Sequence, residues 1–249
     1  MGTIAGSAVT AVLWRLESDE SWFRGRSHCR KCKRNLSARE LVPIISWLVQ
    51  KGRCLGCKSK IAASYPLIEL VTGLLFAFGF AARFGLDGAV ISADPVRALL
   101  VSFRDFFAIA VLLIIFVFDY TKGLILDRVT LPAIVIIAAA SLVLGMGPIA
   151  LFAGVLIGAG FFWLQYLISR GRWIGGGDIR LGALMGALLG WNVIAALFFA
   201  YITGAIVGVG LILSGRKEWV SKIPFGTFLS VAAIFTLYFG DAIVKWYVR

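Results

Sequence analysis

Long apolar runs joined by short polar connections set the rhythm of this chain from residue 65 almost to its end. They fall at about 65–82, 98–118, 129–145, 148–168, 179–190, 193–213 and 225–244. A helix crossing the hydrocarbon core needs roughly 20 apolar residues, so these runs read as membrane spans, the one at 179–190 being short. Residues 3–14 form a further apolar run of only twelve residues, read as a short or tilted first crossing. The pattern predicts an all-α polytopic membrane protein of about eight transmembrane helices. Three divisions follow: a first span at 1–14, a polar loop at 15–64, and a membrane domain at 65–249.

Composition supports this reading. The chain is 60% hydrophobic and 15% charged, with a mean hydropathy of +0.91. That is more apolar surface than one water-soluble core encloses, so the lipid bilayer is the expected partner. The net charge of +12 invites nucleic acid as a partner, but its placement argues against it. Residues 15–64 hold twelve Lys/Arg and four Asp/Glu, a surplus of eight within one loop. Such a loop is retained in the cytoplasm beside anionic headgroups, and no nucleic-acid partner is expected. Alternating the spans from an outside N-terminus puts this loop, the turns after 118 and before 179, and the 214–224 loop on one cytoplasmic face.

The polar loop holds all four cysteines, as Cys29-Arg-Lys-Cys32 and Cys54-Leu-Gly-Cys57. Two CxxC turns bring four thiolates to one ion in the tetrahedral arrangement of structural zinc. Disulfides or a redox pair are the alternatives; a reducing cytoplasm disfavours persistent disulfides. His28 adjoins the set and reads as a neighbour, since four thiolates already complete the site. The apolar island at 41–49 is too short to cross and is expected to pack on the knuckles or lie in the interface. Glu69 sits in the first turns of the 65–82 span. An acid there is either an interfacial group facing the cytosol or a functional one, because intramembrane carboxylates are costly.

Two further acids stand at cytoplasmic ends of apolar runs: Asp119, and Asp178 behind Gly175, Gly176 and Gly177. Two carboxyls close enough to interact split their pKa values, leaving one acid and one base. Such a pair can activate water against a peptide carbonyl. The glycines allow close approach of an extended substrate and positive φ. Helix capping is the competing explanation for Asp178, whereas Asp119 gains nothing from the negative end of a helix. An ion- or proton-coupled transporter would place its acids mid-span; here they gather at the interfaces.

At these residues the chain resembles the type IV prepilin peptidases, membrane aspartic peptidases that process pilins and type II secretion pseudopilins. The stretches that carry the resemblance are Gly6-Ser7 with Arg15-Leu16, the paired CxxC motifs flanking Ile44-Ile-Ser-Trp-Leu48, Ser64-Tyr-Pro-Leu-Ile-Glu69, Asp119 through Asp127-Arg-Val-Thr-Leu-Pro132, Gly175-Gly-Gly-Asp178-Ile-Arg-Leu181, and Ile223-Pro-Phe-Gly226. The resemblance implies a bacterial inner-membrane enzyme that cuts prepilin leaders at the cytoplasmic face, with Asp119 and Asp178 as the catalytic pair. It also implies N-methylation of the exposed α-amine from S-adenosylmethionine, with Glu69 at a position tied to that second activity. A peptidase without methyltransferase activity is the alternative within the class. The chain departs from the family's usual prolines at Leu126 and Thr227.

Overall fold

A computed structural model describes residues 1–18, 20–21, 25–84, 94–214 and 224–247. Parts of the stretches read above lie outside this set: residues 19 and 22–24 of the polar loop, and residues 215–223 with Ile223 of the last motif. The described residues contain nine α-helices: α1 (Gly2–Glu17), α2 (Ile45–Val49), α3 (Ser64–Phe84), α4 (Pro95–Lys122), α5 (Asp127–Val143), α6 (Pro148–Ser169), α7 (Gly176–Leu189), α8 (Val193–Leu213) and α9 (Phe225–Tyr247). They divide between two compact units, Met1–Ala89 and Val90–Arg249.

All eight expected apolar runs are helical, and α2 is the ninth helix. Among the described residues, five stretches are long and apolar enough to cross a bilayer: Ser64–Ala82, Pro95–Lys122, Pro148–Ser169, Gly176–Leu213 taken through its break at Gly190, and Phe225–Tyr247. The break is a short 3-10 turn at Gly190–Asn192, where Gly190 takes φ 57°. Helices α1 and α5, with 16 and 17 residues, are shorter than those five.

In the first unit, α1 and α3 run antiparallel with their backbones nearly touching. A Cβ added at Gly6 would stand 2.6 Å from Glu69 Cα, and one at Gly73 would stand 2.7 Å from Thr3 Cγ2. Between these helices in sequence come the two cysteine knuckles, which repeat one another at an offset of 25 residues. The Cys29 N–H donates to Arg34 O and the Lys33 N–H to Cys29 O, both at 2.9 Å. The Cys54 N–H donates to Ser59 O and the Lys58 N–H to Cys54 O, at 2.9 and 3.0 Å. Lys33 and Lys58 share positive φ, 57° and 58°. The apolar island folds as α2 on the second knuckle: Trp47 packs against Gly52, and its indole N–H donates to Ile61 O at 3.2 Å.

In the second unit α7 is the central helix. Residues 181–189 are buried apart from Ala183, because α5, α6 and α9 pack around it. Its antiparallel contact with α6 is a glycine zipper. Gly154 and Gly158 face Gly186 and Gly182 so closely that a Cβ at Gly154 would stand 2.6 Å from Gly186 O. Small residues at a four-residue spacing let membrane helices gain backbone-to-backbone dispersion where the hydrophobic effect supplies no drive. Ser141 adds a hydrogen bond from α5 to Ala187 O at 3.0 Å. The outer faces of α6 and α8, including Phe152, Leu156, Ile194, Phe198 and Ile206, are exposed and apolar, as lipid contact requires. Within α4, Asp105 is 1% exposed and accepts from its neighbour Arg104 at 2.7 Å.

Gly182→Leu forces a side chain into the α6 backbone and should lower the melting temperature in detergent by roughly 5–10 °C. Gly160 of α6 has nothing within 4 Å of its Cβ position, so Gly160→Leu should melt with the wild type. Equal melting of both variants would contradict the zipper.

Candidate active site and metal centre

Asp119 lies within the last turn of α4 and is 5% exposed. Its Oδ2 accepts the Thr227 backbone N–H at 2.9 Å, at the start of α9. A Cβ at Gly226 would stand 2.9 Å from that same oxygen. Only glycine lets α9 begin here without crowding the carboxylate. Thr227 occupies a position where the resemblance calls for proline, and the N–H it uses is one that proline lacks. The other departure, Leu126, sits just before α5 with φ −82°, close to a proline-like value, and accepts the Thr130 N–H at 3.0 Å.

Asp178 is not the N-cap that capping alone would make it. The helix begins two residues earlier, and Asp178 occupies its third position, where its Oδ2 accepts the N–H of the capping Gly175 at 3.0 Å. This closes the helix N-terminus and orients the carboxylate beside the positive end of the helix. The two aspartates belong to one neighbourhood. Ile125 packs against Gly177 and Gly226 alike, with their Cβ positions 2.8 Å from its Cβ and 3.0 Å from its Cδ1.

Supporting contacts were not legible as such in the sequence. Arg180 pairs with Asp127, tying the N-terminal part of α7 to the first residue of α5. The Tyr201 hydroxyl donates to Gln165 Oε1 at 3.0 Å, and its ring packs edge-on against Phe225 at 4.8 Å, one residue before Gly226. The Pro224-Phe-Gly226 motif was the available signal, a glycine opening an apolar run, but its partner 107 positions earlier has no local signature.

The four cysteines converge in the first unit. Their Sγ atoms all lie within 4.8 Å of one another, with Cys29 Sγ 3.7 Å from Cys57 Sγ, so the cluster can hold a metal ion. His28 is not part of it and instead packs edge-on against Trp14 at 4.5 Å. Backbone N–H groups of their own loops hold the Cys29 and Cys54 thiols below the usual value, and the Ser59 hydroxyl does so for Cys57. The N–H of Arg34 draws Cys32 down, but desolvation and the three neighbouring sulfurs prevail and push it up to about 11. A cation among the four relieves that crowding. Glu40 braces the loop: Arg34 grips its carboxylate at 2.6 Å, the Ser37 N–H adds 3.0 Å, and together they hold it at about 2.

Glu69 is 8% exposed, and its Oε2 accepts the Ile44 N–H at 2.7 Å. Ile44 takes φ 62°, ψ −54°, a conformation β-branched residues avoid. The strain aims an N–H at a buried acid.

Fold and site define a multi-pass helical membrane protein with two aspartates in one neighbourhood of its second unit and four clustered thiols in its first. Two family models match it: the bacterial peptidase A24 N-terminal domain over residues 1–83, and the type IV leader peptidase family over residues 106–209. A prepilin leader peptidase/N-methyltransferase of Bacillus subtilis is 34% identical over 252 residues, covering 100% of this chain and 95% of the relative. One of Aeromonas salmonicida is 34% identical over 232 residues, covering 89% and 74%. One of Myxococcus xanthus is 32% identical over 223 residues, covering 86% and 62%. No solved structure matches the chain. The chain belongs to the type IV leader peptidase family.

Gly226→Val puts methyl groups against Asp119 Oδ2 and Ile125 and should slow leader cleavage at least about tenfold while the protein still inserts. Cleavage at the wild-type rate would show that the Asp119 pocket has room to spare.

Proposed function

We propose that this protein is a prepilin leader peptidase of the bacterial inner membrane, cutting pilin and pseudopilin precursors at the cytoplasmic face with Asp119 and Asp178. The observation that carries the reading is the shared neighbourhood of the two carboxyls around Ile125, Gly177 and Gly226. In the reaction one carboxylate takes a proton from water as the oxygen attacks the scissile carbonyl, and the other carboxyl protonates the carbonyl oxygen. Collapse breaks the C–N bond, the amine leaves with a proton, and the leader keeps the new carboxyl. Gly175, Gly176 and Gly177 give the extended junction access: a Cβ at Gly176 would meet nothing within 4 Å, so the turn is open on that side.

The same proposal takes the eight helices other than α2 as membrane crossings. The 15–64 loop, both aspartates and the 214–224 loop then share the cytoplasmic side, as the positive-inside rule requires. It takes the metal to be a single structural zinc. Zn–S bonds of about 2.3 Å in a tetrahedron place sulfurs roughly 3.8 Å apart, and the Cys29 to Cys57 separation is 3.7 Å. Zinc there would join the two knuckles and stabilise the fold. The relatives' printed names include N-methyltransferase, and we assign this chain the same second activity, methylation of the new α-amine with Glu69 taking part.

Asp119→Asn and Asp178→Asn should each reduce cleavage of a purified prepilin at least about a thousandfold in protein that still inserts. Normal cleavage by either variant, read by mass, would sink the dyad. Elemental analysis should find near one zinc per wild-type chain and almost none in a Cys29→Ser/Cys54→Ser double variant. A wild type purified active without zinc would refute the structural ion.

A further inference from the structure

The two faces of α2 have opposite fates. Ser46, Trp47 and Gln50 turn inward and line a cavity beside the knuckles. Ile45, Leu48 and Val49, at i, i+3 and i+4, are 60%, 60% and 76% exposed. Val42, just before the helix, and Leu55, in the knuckle on which α2 packs, are exposed as well. Large apolar side chains gathered on the surface of a polar loop mark an interaction site, since a water-facing loop has no use for them.

The same segment carries cations that no acid answers. The described acids of the loop are engaged elsewhere: Glu17 pairs with Arg30, Glu40 with Arg34, and Glu20 lies 3.9 Å from His28. Arg39, Lys51, Arg53, Lys58 and Lys60 are exposed and have no acidic partner among the described residues. Arg39 precedes the apolar face in sequence, and Lys51 and Arg53 follow it, so cations border it at both ends. Arg53 and Lys60 also stand opposite each other in an isolated antiparallel bridge. Like charges so placed are unfavourable, and an anion beside them removes the cost.

We propose that this face is a membrane seat: Ile45, Leu48 and Val49 enter the interfacial layer of the leaflet that α3 enters, and Arg39, Lys51, Arg53 and Lys60 hold the phosphates of anionic lipids. Tethering and charge together select this occupant. Only the second knuckle lies between Val49 and Ser64, where a helix long and apolar enough to cross begins, so the bilayer is the nearest apolar phase. An apolar face bordered by Lys and Arg is the pattern by which surface elements lie in an interface with anionic headgroups. A protein partner would have to be apolar and acidic at once. The second knuckle is the platform for this seat, because Trp47 packed against Gly52 decides which side of α2 faces away.

The test puts p-benzoyl-phenylalanine at Leu48 or Val49 of the full-length protein, in nanodiscs of mixed phosphatidylcholine and phosphatidylglycerol. Irradiation links the residue to whatever it touches, and mass spectrometry identifies the adduct. Prepilin cleavage at the wild-type rate confirms that each variant is folded. Both positions should capture lipid, with phosphatidylglycerol taken about fivefold or more above its share of the disc. Adding Arg53→Gln and Lys60→Gln should bring that preference down toward its share while cleavage is unchanged. Capture of residues of this chain, of a second copy or of an added prepilin would make the face a protein contact and overturn the seat. Absence of any adduct would overturn it too, by leaving the face in water. Capture of the two lipids in proportion to their shares, with or without Arg53 and Lys60, would overturn the assignment of those cations to anionic headgroups.

Discussion

Close approach of α6 and α7 through their glycines is the constraint on which the second unit depends. In a membrane, apolar side chains gain little by leaving lipid for protein, so helix association rests on packing and on the few polar groups that find partners. Gly154 and Gly158 against Gly186 and Gly182 let two backbones meet, and α7 can then be enclosed by α5, α6 and α9. Asp178 stands at the mouth of that enclosed helix, its carboxylate held by the Gly175 N–H. Asp119 is held from another direction by the Thr227 N–H, at a glycine that leaves no room for a side chain. Glycine thus serves this site twice, once to fix a helix and once to admit a carboxylate.

The two units divide the chemistry. The second holds Asp119 and Asp178 among membrane helices; the first holds four thiols, a strained turn, a buried glutamate and a cavity. The N-terminal family model covers residues 1–83 and the leader peptidase model residues 106–209, which follows the same division. A metal-stapled loop suits such a unit. Residues 27–61 are too polar and too short to build a hydrophobic core, and the knuckle hydrogen bonds close only local loops. Four thiolates on one cation would supply the missing long-range tie.

Much of this was legible beforehand because membrane physics leaves strong marks. Apolar runs of bilayer length announced the helices, and the CxxC spacing announced the four-cysteine cluster. The aspartates were visible because charge at the edge of an apolar run is conspicuous. Their partners were hidden for a physical reason: Thr227 holds Asp119 through a backbone N–H, which every residue but proline has, across 108 positions. Asp178 as a plain N-cap was the bland alternative, and the helix starts at Gly176 instead, since three glycines conceal a helix start from any propensity argument. The 25-residue repeat of the knuckles was present in Cys29-Arg-Lys-Cys-Lys33 and Cys54-Leu-Gly-Cys-Lys58, but only the hydrogen bonds show how far it extends. The length of a run did not settle crossings either: α1, α5 and α7, with 16, 17 and 14 residues, are shorter than the five stretches long enough to cross, and most of α7 is buried in protein.

The central claim is that two carboxyls, one ionised and one protonated, perform the cleavage. The pH dependence of kcat/KM for a purified prepilin tests it most directly, because a working dyad must be singly protonated. The account predicts a bell-shaped profile, with activity falling on the acid side as both carboxyls are protonated and on the alkaline side as both ionise. A single limb that rises to an alkaline plateau would contradict it and point to a lone base instead.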